Sequence, residues 1–201
     1  INTQTNNFNK IPDPYDGSEI GWTKVSSLTE ENFVYVPSSY CYLSYPFEKD
    51  VQMCPGSSNG CASGNSFEEA LFYSILELVE RDSVAIWWYN KIKRPEIDLS
   101  KIKNEDCVRM FEKFRQSDRV IHLLDLTTDL NIPTYLAVSW KLDGSQVFFG
   151  SSAHLNYEVA IIRAISELNQ IMMRAETPSD ISLSSIPEVE RDLVRWSINE
   201  K

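Results

Sequence analysis

Glu69, Glu77, Glu80 and Glu167 are the side chains with the clearest capacity for chemistry. The first three share one helical stretch, and at 3.6 residues per turn they project within an arc of roughly 80°. Their neighbours, among them Leu71, Phe72, Ile75, Leu76, Val79 and Trp87, make the stretch apolar around most of its circumference. That pattern predicts a buried helix. Unpaired carboxylates on a dry stripe cost on the order of several kcal/mol per ion, so something must compensate them. Arg81 is one candidate. Bound Mg2+ is another, because it takes carboxylate oxygens together with substrate phosphates. Ordinary ion pairing competes with both: a capping box accounts for Glu69, and Glu80 beside Arg81 and Asp82 suits a solvated helix end.

A second polar face lies near the end of the chain. Arg163, Glu167, Gln170 and Arg174 fall within an arc of about 60°, with Glu158 on the opposite side. Arginine offers a planar fork for phosphate, glutamate a further metal ligand, and glutamine a donor and acceptor for a base or ribose. An exposed helix with an Arg163–Glu167 pair is the alternative, a contact of a few tenths of a kcal/mol. Between the amino terminus and the first helix, Ser57, Ser58, Asn59, Gly60, Gly64 and Asn65 form a small-residue loop. Its backbone N–H groups suit phosphates, yet the loop is no Walker A motif and also reads as a plain connection.

The elements that must hold these residues follow from turn and cap signals. Ser66-Phe67-Glu68-Glu69 is a capping box that opens a helix running to about Tyr89. A second helix is predicted over about Glu105–Gln116 and a third over about Asn156–Met173. Strands are predicted at Phe33–Pro37, Tyr40–Leu43, Val120–Leu126, Pro133–Trp140 and Gln146–Ser151, with a hairpin turn at Asp143-Gly144. The expected class is α+β, a small, mainly antiparallel sheet flanked by long helices. Residues 1–30 read as a polar tail or lead-in segment, 31–176 as the core, and 177–201 as a linker and terminal helix.

Net charge is −10 and the pI about 4.7. So acidic a surface repels phosphate backbones and anionic lipid, which argues against nucleic acid and membranes as partners. No apolar run approaches a membrane span, and a cytoplasmic protein is the default. The four cysteines form no C-x-x-C pair and are expected to be reduced thiols. Neither histidine makes a convincing general base: His122 fits a satisfied strand residue, and His154, just before the third helix, reads either as an ordinary loop residue or as one that lines the site.

The run from Ser58-Asn59-Gly60-Cys61-Ala62-Ser63-Gly64-Asn65-Ser66-Phe67-Glu68-Glu69-Ala70 to Glu77-Leu78-Val79-Glu80-Arg81-Asp82 resembles the YcaO family's S-N-G-x-A-x-G-N-[ST]-x-E-E-A block and the E-x-x-E-R-D after it. Trp87-Trp88-Tyr89-Asn90, Leu124 to Pro133, and Arg163 to Gln170 also fit. The likeness covers about residues 35–174 and is nearest to the cyclodehydratases of thiazole/oxazole-modified microcin clusters. It implies an ATP-dependent enzyme that phosphorylates a backbone amide oxygen after a Cys, Ser or Thr side chain attacks, leaving an azoline. It assigns Mg2+ coordination to Glu69, Glu77, Glu80 and Glu167. Ser58, Asn59, Arg81, Arg163 and Gln170 would contact ATP. The implied partners are a ribosomal precursor peptide and a peptide-recognising protein, and a homodimer is left open. Backbone thioamidation by the same chemistry, or a non-catalytic scaffold that binds peptide or partner, are the alternatives. Family members of this type extend further and end in a proline-rich tail. The chain is therefore expected to be a partial enzyme with residual ATP binding and doubtful turnover.

Overall fold

Apolar residues at successive positions along 120–138, on both sides of a period-two pattern, call for a sheet covered on both faces. The computed structural model describes residues 15, 17, 19–30, 32–43, 45 and 56–176. The chain divides into two compact units, residues 1–59 and 60–201.

In the first unit, β1 (Trp22–Ser26) pairs antiparallel with β2 (Phe33–Pro37), from Trp22 opposite Pro37 to Ser26 opposite Phe33. A single helical turn, α1 (Ser38–Cys41), follows. Two expectations fail here. β1 lies within the stretch read as a tail, where Thr23 and Val25 supply the alternating β-branched residues of a strand. The predicted strand at Tyr40–Leu43 is instead the end of α1 and a turn. Ser38 turns the chain there: its N–H donates to Gly21 O at 2.8 Å, its hydroxyl pairs with Thr23 Oγ1 at 2.8 Å, and its carbonyl accepts from Tyr42 N–H at 3.1 Å.

The second unit carries α2 (Phe67–Asn90), a short 3-10 turn at Leu99–Lys101, α3 (Glu105–Arg115), β3 (Arg119–Asp125), β4 (Thr134–Lys141), β5 (Phe148–Ala153) and α4 (Tyr157–Glu176). Ser66 caps α2, its hydroxyl accepting from Glu69 N–H at 3.2 Å. The Glu69 carboxylate reaches one residue further back than a capping box requires, taking Asn65 N–H at 2.6 Å and its side-chain amide at 2.9 Å. Strands β3, β4 and β5 form an antiparallel sheet in that order, so β5 is an edge. The turn between β4 and β5 is longer than a two-residue hairpin, with positive φ at Gly144 and Gln146.

Alternate residues of the sheet serve different layers. Leu124, Leu126 and Leu136 pack with Trp87 of α2. Leu123, Tyr135, Ala137 and Phe148 pack with α3 and α4 through residues such as Phe111, Phe114, Ile165 and Leu168. Burying a Leu or Phe in this way contributes about 1.5–3 kcal/mol each. This is the α+β arrangement expected. α2 is less enclosed than its composition suggested: Leu76, Val79 and Trp87 are buried, but Phe72, Ile75 and Leu78 stay exposed. Three short strands are too few to cover every side of a 24-residue helix.

Cys41 and Cys107 are free thiols. Burial, with Glu158 and Asp106 adding, pushes the Cys107 thiol up to about 11, which keeps it un-ionised at neutral pH. No helix among the described residues is long and apolar enough to cross a membrane. The predicted linker and terminal helix after 176, and Cys54, lie outside the described residues.

Gly150 sets how closely α4 approaches β5. A Cβ at that position would collide with the backbone nitrogen of Leu168 and the carbonyl oxygen of Ala164. Gly150→Ala is expected to cost about 2 kcal/mol of stability in urea denaturation. An unchanged midpoint would contradict the tight helix–strand contact.

Candidate functional site

The two helices meet over the free edge of β5, and Ser151 joins them. Its backbone N–H, turned away from β4, donates to Glu167 Oε2 of α4 at 2.6 Å. Its hydroxyl donates to Glu80 Oε1 of α2 at 2.6 Å. Glu77, one turn earlier on α2, accepts from the Gly60 N–H through Oε2 and from Arg81 Nε at 2.8 Å through Oε1. Arg81 completes the group, its Nη2 lying 2.9 Å from Glu80 Oε1 and 3.9 Å from Glu167 Oε1. Three carboxylates from two helices therefore surround one guanidinium.

That ratio leaves negative charge in excess, and one of the three carboxylates is held away from water. Glu80 is only 8% exposed. Burial raises its pKa above the ordinary glutamate range; the Ser151 hydrogen bond and Arg81 work against the rise, while Glu167 and Glu77 reinforce it. For Arg81, burial opposes the charge, but Glu80, Glu77 and Glu167 outweigh it and hold the guanidinium above its ordinary value.

A cavity of about 410 Å³ opens beside this group, within the range of small-molecule sites. Ala62 and Ser63 line it from the loop, Tyr73, Leu76, Glu77 and Glu80 from α2, Ser152 and Ala153 from β5, and Arg163 from α4. The Arg163 guanidinium lies 4.9 Å from the centre of the Tyr73 ring. α2 holds Gly60 by both of its backbone polar groups, since Glu77 takes its N–H and Ser74 Oγ donates to its carbonyl.

The structure thus brings together Glu77, Glu80, Arg81, Arg163 and Glu167. Glu69 stays apart, satisfied by Asn65 at the start of α2, and does not line the cavity. Gln170 is exposed on α4, one turn past Glu167, and is not in the lining. Ser58 and Asn59 belong to the other unit, where both are exposed and Asn59 N–H donates to Ser57 Oγ at 3.1 Å. His154 accepts from Asn156 N–H at 3.0 Å and abuts Phe72. His122 pairs with Glu96 at 2.6 Å and stacks on Trp140. Ser151, Ser74 and Tyr73 were not anticipated. The one available signal for Ser151 was the small-residue run Gly150-Ser151-Ser152 inside a strand, an unusual place for three such residues.

Whether this donor set fits magnesium and a nucleotide turns on charge and chemistry. The ligands on offer are all carboxylate oxygens, which suit Mg2+. Arg81 alone cannot neutralise them, and Arg163 gives the cavity wall a cation suited to phosphate. Among the described residues, no three His, Cys, Asp or Glu side chains are gathered closely enough to cage a metal ion unaided. Magnesium bound with a nucleotide uses only one or two carboxylates per ion and draws further ligands from phosphates and water. The residues fit.

A family model described as YcaO cyclodehydratase, ATP- and Mg2+-binding, matches residues 2–196. The chain belongs to the YcaO family. An uncharacterized protein of Methanothermobacter thermautotrophicus is 32% identical over 157 residues, covering 76% of this chain and 41% of that protein. A heterocyclase solved in complex with substrate and cofactor is 39% identical, with a TM-score of 0.76 over 91% of this chain and 26% of its own. YcaO from Methanopyrus kandleri, solved bound with AMPPCP and Mg2+, is 25% identical, with a TM-score of 0.73 over 94% of this chain and 50% of its own. The chain therefore spans half or less of each of these proteins. ATP and Mg2+ are the cofactors of the YcaO family, and the α+β fold is shared with these structures.

Glu80 gives a test of the site's charge balance. Its folded pKa lies above the unfolded one, so the fold favours the protonated form. Its contribution to stability is full below the ordinary glutamate range and is lost as pH rises through the raised value. Glu80→Gln, a neutral isostere that can still accept from Ser151, is expected to raise the melting temperature by about 2 °C at pH 7 without divalent cations. The gain should disappear in acid. A variant less stable than wild type at pH 7 would contradict the excess of negative charge.

Proposed function

We propose that this chain supplies the nucleotide- and metal-binding core of an enzyme that activates peptide-backbone amides with ATP and Mg2+, forming azolines from Cys, Ser or Thr. The observation that carries the reading is the convergence of Glu77, Glu80 and Glu167 on Arg81, beside a cavity that Glu77 and Glu80 line. A likeness of 39% identity to a heterocyclase supports the reaction class. When bound, MgATP supplies the phosphoryl group that turns the amide oxygen into a leaving group.

The chain's own contribution is positioning and charge. Glu77, Glu80 and Glu167 hold the cations, with Ser151 fixing the last two relative to each other. Arg163 meets phosphate charge from the α4 wall, and the Glu77–Gly60–Ser74 clamp orients the loop peptide. Glu69, Ser58, Asn59 and Gln170 remain proposed ligands on the family pattern. Phosphoryl transfer asks little covalent chemistry of a protein, so an array of this kind suffices for much of the catalysis. A ribosomal precursor peptide is the proposed substrate and a peptide-recognising protein the proposed partner. The cytoplasm, where ATP is plentiful, is the proposed location.

Isothermal titration of the intact protein with Mg2+ and a nonhydrolysable ATP analogue tests the reading. Glu77→Ala and Glu167→Ala should each weaken binding by at least about tenfold, since even outer-shell partners of metal ligands are worth that much. Absent heat from the wild type, or affinities unmoved by both substitutions, would refute it.

A further inference from the structure

Arg81 lies among the three carboxylates proposed to hold the metal. Its Nε lies 2.8 Å from Glu77 Oε1, and its Nη2 2.9 Å from Glu80 Oε1 and 3.9 Å from Glu167 Oε1. The remaining oxygens of Glu77 and Glu167 are already taken, by Gly60 N–H and Ser151 N–H. A magnesium ion reaching these carboxylates at about 2.1 Å would face a like charge at short range.

We infer that Arg81 is a built-in counter-cation: it keeps Glu77, Glu80 and Glu167 gathered before the metal arrives and is exchanged for it on binding. The inference rests on the reading of this cavity as a magnesium and nucleotide site. The side chain is 38% exposed, so it is not locked behind the carboxylates. Two consequences follow from the exchange. Bare Mg2+ binds weakly, because each binding event must first break the guanidinium contacts. Nucleotide phosphates offer the released guanidinium a new anionic partner, so metal and nucleotide bind as a pair. Arg81 is in this account a positioning residue that sets the order of assembly, in addition to any contact it makes with ATP.

Titration calorimetry of the intact protein with MgCl2 alone, then with the nonhydrolysable analogue, separates the possibilities. Arg81→Gln should bind Mg2+ alone about tenfold more tightly than wild type, and the enhancement of analogue affinity by Mg2+ should shrink by a similar factor. Arg81→Lys keeps a positive charge and a folded chain but cannot span three carboxylates, so it should fall between the two. Variants that bind Mg2+ no more tightly, in a wild-type background that does bind the magnesium–analogue complex, would overturn the counter-cation role and leave the nucleotide site standing. A wild type that binds no such complex would bring down the site itself and this inference with it.

Discussion

Three carboxylates and one guanidinium are packed against the edge of a small sheet, and the charges do not balance. Glu80 is nearly closed off from water, yet it sits within contact range of Arg81 and shares its surroundings with Glu77 and Glu167. Excess negative charge of this kind is tolerable where a ligand cation completes it. The other features of the second unit make sense as devices for holding that imbalance in place.

Ser151 is the smallest of these devices and the most consequential. Among the described residues β5 is the last strand of its sheet, so the outward amide of Ser151 is satisfied by Glu167 while the neighbouring hydroxyl holds Glu80. One residue thus fixes the separation between carboxylates on two helices that are far apart in sequence. Gly150 lets α4 come close enough for Glu167 to reach that amide. The apolar layers on either face of the sheet then hold α2 and α4 at a fixed distance. Packing, edge geometry and charge all bear on one place.

Much of this was legible in the residues. Wheel arithmetic put Glu77 and Glu80 on one face and Arg163 and Glu167 on another, because helical periodicity is a local property. The strands at 119–153 were legible for the same reason. Ser151 was hidden because edge position and strand order are tertiary facts. Glu69 looked equivalent to Glu77 on the wheel, but its distance along the axis, two turns away, lets Asn65 claim it first. β1 was missed because five residues of modest β-propensity follow a Pro- and Gly-containing stretch, and only the pairing with β2 makes them a strand. The exposed side of α2 was equally invisible, since composition around a helix does not say how much sheet is available to cover it.

The central claim is that the carboxylates of α2 and α4 receive a divalent cation together with a triphosphate. Its most direct test is a crystal structure of the intact protein with Mn2+ and a nonhydrolysable ATP analogue, read in anomalous difference density. The account predicts peaks within about 2.3 Å of Glu77, Glu80 and Glu167 oxygens, bridged to phosphate, with Arg81 turned away from them. Manganese and nucleotide bound elsewhere, with Arg81 still spanning the three glutamates, would contradict it.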